Sequence, residues 1–352
     1  MRTIFTEEHR HQDGKLELID GKFLPPFEMP RRAQIVIDRV RDTRLGPILP
    51  PEDFGLDPVR RVHDKGFVEF LRTAWDEWVR AHGAYDALPL VWHTRGFRSK
   101  PPIPDAIDGK LSYYAIDAGT PITAGTWRAI TAASNVALTG VKLVKAGERS
   151  VFALCRPPGH HAGSDFYGGY CFFNNAAIAA QAFRDGGAKR VAILDVDYHH
   201  GNGTQEMFYR RDDILTISIH ADPRQEYPFF LGHADETGKG KGEGFHLNLP
   251  LRWYSAWDAY EPALETAMKR LRKFAPDVLV VSLGLDTFKE DPISKFRLEH
   301  EDYLRMGEMI ASAQRPTLFV FEGGYAVEAL GINCVNVLTG YEQATRRQPG
   351  AA

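Results

Sequence analysis

The stretch Arg190-Val-Ala-Ile-Leu-Asp-Val-Asp-Tyr-His-His-Gly-Asn-Gly-Thr204 decides how the chain reads. Val191 to Leu194 is a short apolar run of strand-forming residues, the pattern of a strand buried on both faces. It ends in ionisable groups. Residues two apart on a strand share a face, so Asp195, Asp197 and His199 are expected to point the same way if the strand runs that far. Gly201-Asn202-Gly203 then signals a turn. Two carboxylates and an imidazole at the end of a buried strand are costly to leave unpaired. A divalent cation would satisfy them. The bland alternative is a solvated polar loop after a strand.

Working outward, other strand-like runs end in the same way. Val151 to Leu154 leads to Arg156-Pro-Pro-Gly-His-His161. The run from Ile214 ends at His220, with Ser218 just before it. The run 278–285 ends at Asp286, and Thr317 to Phe321 leads to Glu322-Gly-Gly-Tyr325. Between them lie helical stretches, from Asn175 to Phe183 (stopped by Gly186-Gly187), from Ala256 to Phe274 and from Asp302 to Ala313. This alternation predicts an α/β fold, an open, mostly parallel sheet with helices on both faces. Ligands in such sheets bind beyond the carboxyl ends of the strands. Any one of these residues could be structural, since a lone histidine near a strand is more often a core residue. Five strand ends supplying Asp, His and Tyr to one rim point to an active site.

Upstream, residues 30–42, 66–82 and 126–146 have helical spacing; Phe67, Phe70, Leu71, Trp75 and Val79 share one side of the second. Residues 83–109 are punctuated by Pro89, Pro101, Pro102 and Pro104, too long a segment for an ordinary connection. A functional excursion or interface and a wandering surface loop explain it equally well. With no domain boundary after residue 110, residues 1–352 are expected to form a single domain.

Of the 352 residues 43% are hydrophobic and 25% charged, and the net charge is −3. These are ordinary globular values, and they give no ground for a nucleic-acid or membrane partner. Cys155, Cys171 and Cys334 form no C-x-x-C pair, the start has no apolar signal core, and no stretch is long enough to span a bilayer. A cytoplasmic protein is expected.

Asp197, His199 and Asp286 make a three-ligand set with room for a further ligand, the mark of a catalytic metal. Zinc suits these donors; iron(II), cobalt and manganese also fit. His160 and His161, after Pro-Pro-Gly, can supply general base and general acid. Asp195 would orient one of them. Tyr325, on a loop that its two preceding glycines lead one to expect to be mobile, could donate to a developing oxyanion. Together these parts describe metal-assisted hydrolysis of a carbonyl compound. A two-metal ureohydrolase is weakened by the five-residue gap between Asp286 and Asp291. A non-catalytic binding protein is weakened by the intact ligand set. Gly238-Lys-Gly-Lys-Gly-Glu-Gly244 lacks the spacing of a P-loop.

Arg156 to His161, Asp195 to Gly203, Gly284-Leu-Asp-Thr287 and Gly323-Gly-Tyr325 resemble the signature blocks of the histone deacetylase superfamily. Elsewhere Phe5-Thr-Glu-Glu-His9, Asp291-Pro-Ile-Ser294 and the stretch 331–338 resemble bacterial acetylpolyamine amidohydrolases. The resemblance implies an arginase/deacetylase fold and one zinc on Asp197, His199 and Asp286. It implies His161 as proton shuttle and His160 as electrostatic helper, paired with Asn202 and Asp195 respectively. Asn202 stands where many relatives have Asp, which should leave His161 less basic. Tyr325 would polarise the scissile carbonyl. A structural potassium ion would use Asp195, Asp197, His199 and Ser218, partly through backbone oxygens. Gly169, Tyr170 and Tyr227 would wall a narrow tunnel. The excursion, about 83–118, would join a homodimer interface that narrows it. Glu17 and Asp108 would face a distal ammonium; Gly119 stands where a further glutamate is expected, and Asp117 is the nearby acid. The implied reaction is deacetylation of short acetylated diamines such as N-acetylputrescine and N-acetylcadaverine, with a protein acetyl-lysine deacetylase as the alternative.

Overall fold

The computed structural model describes residues 1–92 and 101–347. Its strands are β1 (Arg2–Ile4), β2 (Glu17–Ile19), β3 (Lys22–Leu24), β4 (Ile48–Leu49), β5 (Ser150–Ala153), β6 (Val191–Asp195), β7 (Ile214–Ala221), β8 (His246–Leu251), β9 (Val278–Leu283) and β10 (Thr317–Phe321). Its helices are α1 (Arg31–Asp42), α2 (Lys65–His82), α3 (Ile107–Tyr114), α4 (Thr126–Lys145), α5 (Asn175–Asp185), α6 (Asn202–Phe208), α7 (Trp257–Phe274), α8 (His300–Ala311) and α9 (Val327–Arg347).

Eight strands form one sheet in the order β4-β1-β5-β10-β9-β6-β7-β8, and every pairing in it is parallel. Parallel strands need both faces covered, and the alternation of side chains shows how. Ala192 and Leu194 of β6, with Leu279 and Val281 of β9, enter a core shared with α1, α7, α8 and α9. Val191, Ile193, Val278 and Val280 enter the opposite core, shared with α4 and α5. This is the arginase/deacetylase type of α/β fold, and it places the carboxyl ends of all eight strands on one rim.

A third core joins α2 and α3, with Trp78 buried in it and Trp75 and Trp127 packed against it. The β2–β3 hairpin is antiparallel and lies apart from the sheet. Part of the excursion, 93–100, lies outside the described residues. The remainder is tied down: Ala87 bridges Ile122, Ala115 bridges Tyr167, and Trp92 Nε1 donates to Ala115 O at 2.9 Å. No helix among the described residues is long and apolar enough to cross a membrane.

Candidate active site

The site begins where β6 stops. The strand ends at Asp195, so strand periodicity does not carry Asp197 and His199 to one side. Short side-chain bonds turn the chain instead: Asp195 Oδ1 accepts from Asp197 N at 3.1 Å, and Asp197 Oδ1 accepts from His199 N at 2.9 Å. These local bonds compete with the ladder and end it. Beyond them Asn202 opens α6, where the glycine-rich sequence suggested only a turn.

The loop after β9 delivers Asp286 to the same place. Its Oδ1 accepts from Tyr198 N at 2.8 Å, and its Oδ2 lies 3.0 Å from His199 Nδ1. One potential ligand atom each from Asp197, His199 and Asp286 lie within 4.8 Å of one another, all buried. It is the one such cluster among the described residues. The local field asks for positive charge. Burial opposes a charged His199, but its bonds to Asp197 and Asp286 outweigh that and drive its pKa well up. Asp286 is pushed up to about 6 by burial and by the charge of Asp197. The backbone leaves little room: a Cβ at Gly284 would lie 2.0 Å from Asp197 Oδ2, and one at Gly323 would lie 2.7 Å from Asp286 Oδ2. Two buried carboxylates and an imidazole so enclosed fit a divalent cation.

Behind the cluster stand the two histidines after β5. His160 Nδ1 lies 3.0 Å from Asp195 Oδ2, and His161 Nδ1 lies 2.7 Å from Asn202 Oδ1. Each acceptor assigns the Nδ1 proton to its histidine and leaves Nε2 for chemistry. The two rings diverge electrically. Burial opposes a charged His160, but Asp197 and Asp195 outweigh it and raise its pKa to about 10. His161 is held well below the usual value by burial and by the charges of His160 and His199.

Tyr325 follows β10 on a loop that is pinned, not mobile. Gly323 N donates to Asp197 Oδ2 at 2.9 Å, and Leu285 N donates to Gly323 O at 3.0 Å. The buried Arg32 guanidinium donates to Glu322 O and Gly324 O, both at 2.6 Å, and lies 4.7 Å from the centre of the Tyr325 ring. Burial keeps the Tyr325 phenol protonated, against the pull of Arg32. Behind this loop Glu28 accepts from Arg32 at 2.9 Å and from Arg156 at 2.7 Å, and Glu322 accepts from Gly159 N at 2.6 Å.

Gly169 and Tyr227 crowd His161. A Cβ at Gly169 would meet His161 Cδ2 at 2.2 Å, and the Tyr227 ring stands edge-on to His161 at 5.0 Å. Tyr170 lies 5.5 Å from the Tyr325 ring. Asp117 joins these walls: its Oδ2 accepts from Gly169 N at 2.6 Å and from Tyr227 OH at 2.8 Å. Its other oxygen takes Gly119 N and Thr120 Oγ1. It is therefore occupied and not a spare acid. Glu17 is buried beside Tyr170, and its Oε2 has no hydrogen-bond partner. Asp108 sits on the surface, 3.0 Å from His82 Nε2. Ser218 pairs with Asp195 across the β6–β7 ladder, and its hydroxyl meets His220 Nδ1 at 2.7 Å. The sequence reading gave neither Arg32 nor Glu28 a role, although Pro25-Pro-Phe-Glu28 is among the stretches that resemble the amidohydrolases and Glu28 lies four residues ahead of Arg32.

A family model described as "Histone deacetylase domain" matches residues 26–340. The chain belongs to the histone deacetylase family. It is similar to "Acetylpolyamine amidohydrolase 2" of Pseudomonas aeruginosa, 59% identical over 346 residues, which are 98% of this chain and 100% of that protein. It is 46% identical over 340 residues to "Acetylpolyamine amidohydrolase" of Mycoplana ramosa, covering 97% of this chain and 99% of that one. The fold superposes on the crystal structure of the acetylpolyamine aminohydrolase from Burkholderia pseudomallei with a TM-score of 0.92 at 36% identity, covering 98% and 99% of the two chains. Family membership and the buried Asp/His/Asp cluster make this histone deacetylase family member a metal-assisted hydrolase.

Proposed function

We propose that this enzyme is a zinc-dependent amidohydrolase that removes the acetyl group from short acetylated diamines, such as N-acetylputrescine and N-acetylcadaverine, giving acetate and the free amine. The observation that carries the reading is the buried Asp197, His199 and Asp286 cluster facing a histidine pair of opposite electrical character. Relatives similar over their whole length bear the name acetylpolyamine amidohydrolase, which supports the substrate class.

Asp197, His199 and Asp286 would hold the zinc ion. When bound, the ion supplies Lewis acidity, which lowers the pKa of water and polarises a carbonyl oxygen. Hydrolysis adds water across the amide C–N bond. His161 Nε2 takes a proton from the attacking water and returns it to the departing nitrogen. His160, held by Asp195, remains charged and favours the developing negative charge. The protonated Tyr325 donates to the carbonyl oxygen as it becomes an oxyanion. Asn202 fixes the tautomer of His161. Asp195, Asp197, His199 and Ser218 would also hold a structural potassium ion, partly through backbone oxygens.

Gly169, Tyr170 and Tyr227 line the path of the alkyl chain, and Glu17 takes the distal ammonium. Asp108, nearer the surface, is the weaker candidate for that charge. The apolar side chains Leu16, Leu18 and Phe23 on the hairpin are exposed, as are Leu90, Val91 and Trp92 on the excursion. They support a homodimer built on this side. All three cysteines are free and buried, which supports a reducing, cytoplasmic setting.

A deacetylation panel on zinc-loaded protein tests the reading, with N-acetylputrescine and N-acetylcadaverine set against acetylspermine and acetyl-lysine peptides. A higher kcat/KM for either of the last two classes refutes the diamine assignment. Tyr325→Phe is the control: it should keep its zinc and lose about 10²–10³ in kcat, the usual worth of an oxyanion donor.

A further inference from the structure

Asp291 has no part in the chemistry above, yet its carboxylate is buried and spends its oxygens on the active-site backbone. Oδ2 accepts from Tyr325 N at 2.7 Å and from Ala326 N at 3.2 Å, and Oδ1 accepts from Ile293 N at 3.1 Å. The bond to Ile293 fixes the carboxylate within its own loop, so its grip on Tyr325 comes from a rigid base. That loop is the one that carries Asp286, five residues earlier.

The other restraints on the Tyr325 loop act before the tyrosine. Asp197 and Leu285 hold Gly323, and Arg32 holds the carbonyls of Glu322 and Gly324. Gly324 has a φ of +122°, a conformation that side chains rarely adopt, so the backbone just ahead of Tyr325 has no side chain to stiffen it. Asp291 grips the amides on the far side of that point.

We propose that Asp291 is a positioning residue for the reaction: it sets where the Tyr325 hydroxyl reaches by clamping the Tyr325 and Ala326 amides to the loop that carries Asp286. The inference rests on the reading of Tyr325 as the oxyanion donor. A misplacement of about 1 Å in such a donor costs on the order of 10²-fold in rate. Asp291→Asn retains the size of the side chain but cannot accept on both sides at once. It should therefore lose part of that factor, about 10–100-fold in kcat.

The test is a double-mutant cycle with Tyr325→Phe, read as kcat and KM on N-acetylputrescine, with zinc per chain and urea unfolding measured on all four proteins. Should Asp291→Asn not fold, Asp291→Ser takes its place, since serine retains a hydroxyl that can accept from the helix-start amides. The expected result is a lower kcat with KM changed less than about threefold and zinc content unchanged. In the Tyr325→Phe background the Asp291 substitution should cost less than about threefold more, because the group it positions is already gone. Losses that multiply in the double variant overturn the inference, as does a fall in zinc content or an effect confined to KM. A near-normal Tyr325→Phe enzyme overturns the Tyr325 reading and this inference with it. A crippled Tyr325→Phe with independent losses overturns this inference alone.

Discussion

Glu17 should cost the free enzyme stability in order to bind a cation, and the two effects can be separated. Its side chain is 1% exposed, Oε1 accepts from Phe27 N at 3.3 Å, and Oε2 has no partner. Burial raises its pKa from 4.5 to about 7, opposed by Tyr170 and Phe27 N and reinforced by Asp117 and Glu28. At about 1.4 kcal/mol per unit, ionised Glu17 destabilises the fold by up to about 3.5 kcal/mol. The folded pKa lies above the unfolded one. The native state thus binds the extra proton between pH 4.5 and about 7, and stability falls as pH rises through that window. Glu17→Gln keeps the bond from Phe27 N and removes the charge. Urea unfolding should show the variant equal to the parent near pH 4.5 and more stable at pH 8, by an amount approaching that figure. Substrate should behave in the opposite way. Losing a charge-assisted bond to an ammonium costs about 1.5–3 kcal/mol, so kcat/KM for N-acetylputrescine should fall about 10–100-fold. N-butylacetamide, the same chain without the distal amine, should be nearly unaffected. Parallel stability–pH curves for parent and variant would refute the burial argument; equal losses on both substrates would refute the ammonium assignment.

Three other outcomes follow from particular contacts. Gly323→Ala puts a methyl 2.5 Å from Asp197 Oδ2 and 2.7 Å from Asp286 Oδ2; chelator competition should show zinc affinity lowered by about 10–100-fold, the usual effect of disturbing ligand support, and unchanged affinity would mean that the carboxylates yield freely. Asp117→Asn should raise KM about tenfold for N-acetylputrescine and N-butylacetamide alike, since Asp117 holds the walls and meets no ammonium; a loss confined to the charged substrate would make it a cation ligand instead. Phe23→Glu places a charge on a side chain that is 64% exposed; if the hairpin forms the proposed homodimer interface, light scattering should give half the parent mass, and an unchanged mass would refute that placement.

The central strands were legible because burial on both faces leaves no polar alternation to confuse them: β6, β7, β9 and β10 fall where their apolar runs lie. Their ends were legible because Asp, His and Tyr have no packing reason to cluster there. What escaped notice was built differently. β1 is three residues long and begins with an arginine, and its place in the sheet comes from β4 and β5. β8 is an edge strand carrying Pro250, a residue that argues against a strand until its partner is seen. Strand periodicity was carried past Asp195, although the Asp-x-Asp-x-His spacing itself bends the chain through side-chain bonds to the backbone. The part Asp117 plays in the walls went unread because its bond to Tyr227 spans 110 residues of sequence. Contacts from a carboxylate to distant amides leave no local pattern.

The glycines before Tyr325 show how one sequence signal can have two physical meanings. Gly-Gly ahead of a catalytic side chain reads as a hinge, because glycine gives the backbone freedom. In the fold that freedom is spent. Gly323 donates its N–H to Asp197 Oδ2 and its carbonyl accepts from Leu285 N, so both of its backbone groups are committed. What position 323 requires is the missing Cβ. With one present, the β10 loop could not approach the two carboxylates closely enough for that N–H to reach Asp197, and the Asp197–Asp286 spacing would widen. The same holds at Gly284 on the neighbouring loop, where a Cβ would fall within 2.0 Å of Asp197 Oδ2. Two glycines from different strand ends thus set the distance between the carboxylates, and the tyrosine follows on a backbone whose hydrogen bonds are already made. A rigid loop of this kind suits the role proposed for Tyr325, since such a donor has to meet an oxyanion without reorganising at the moment of reaction.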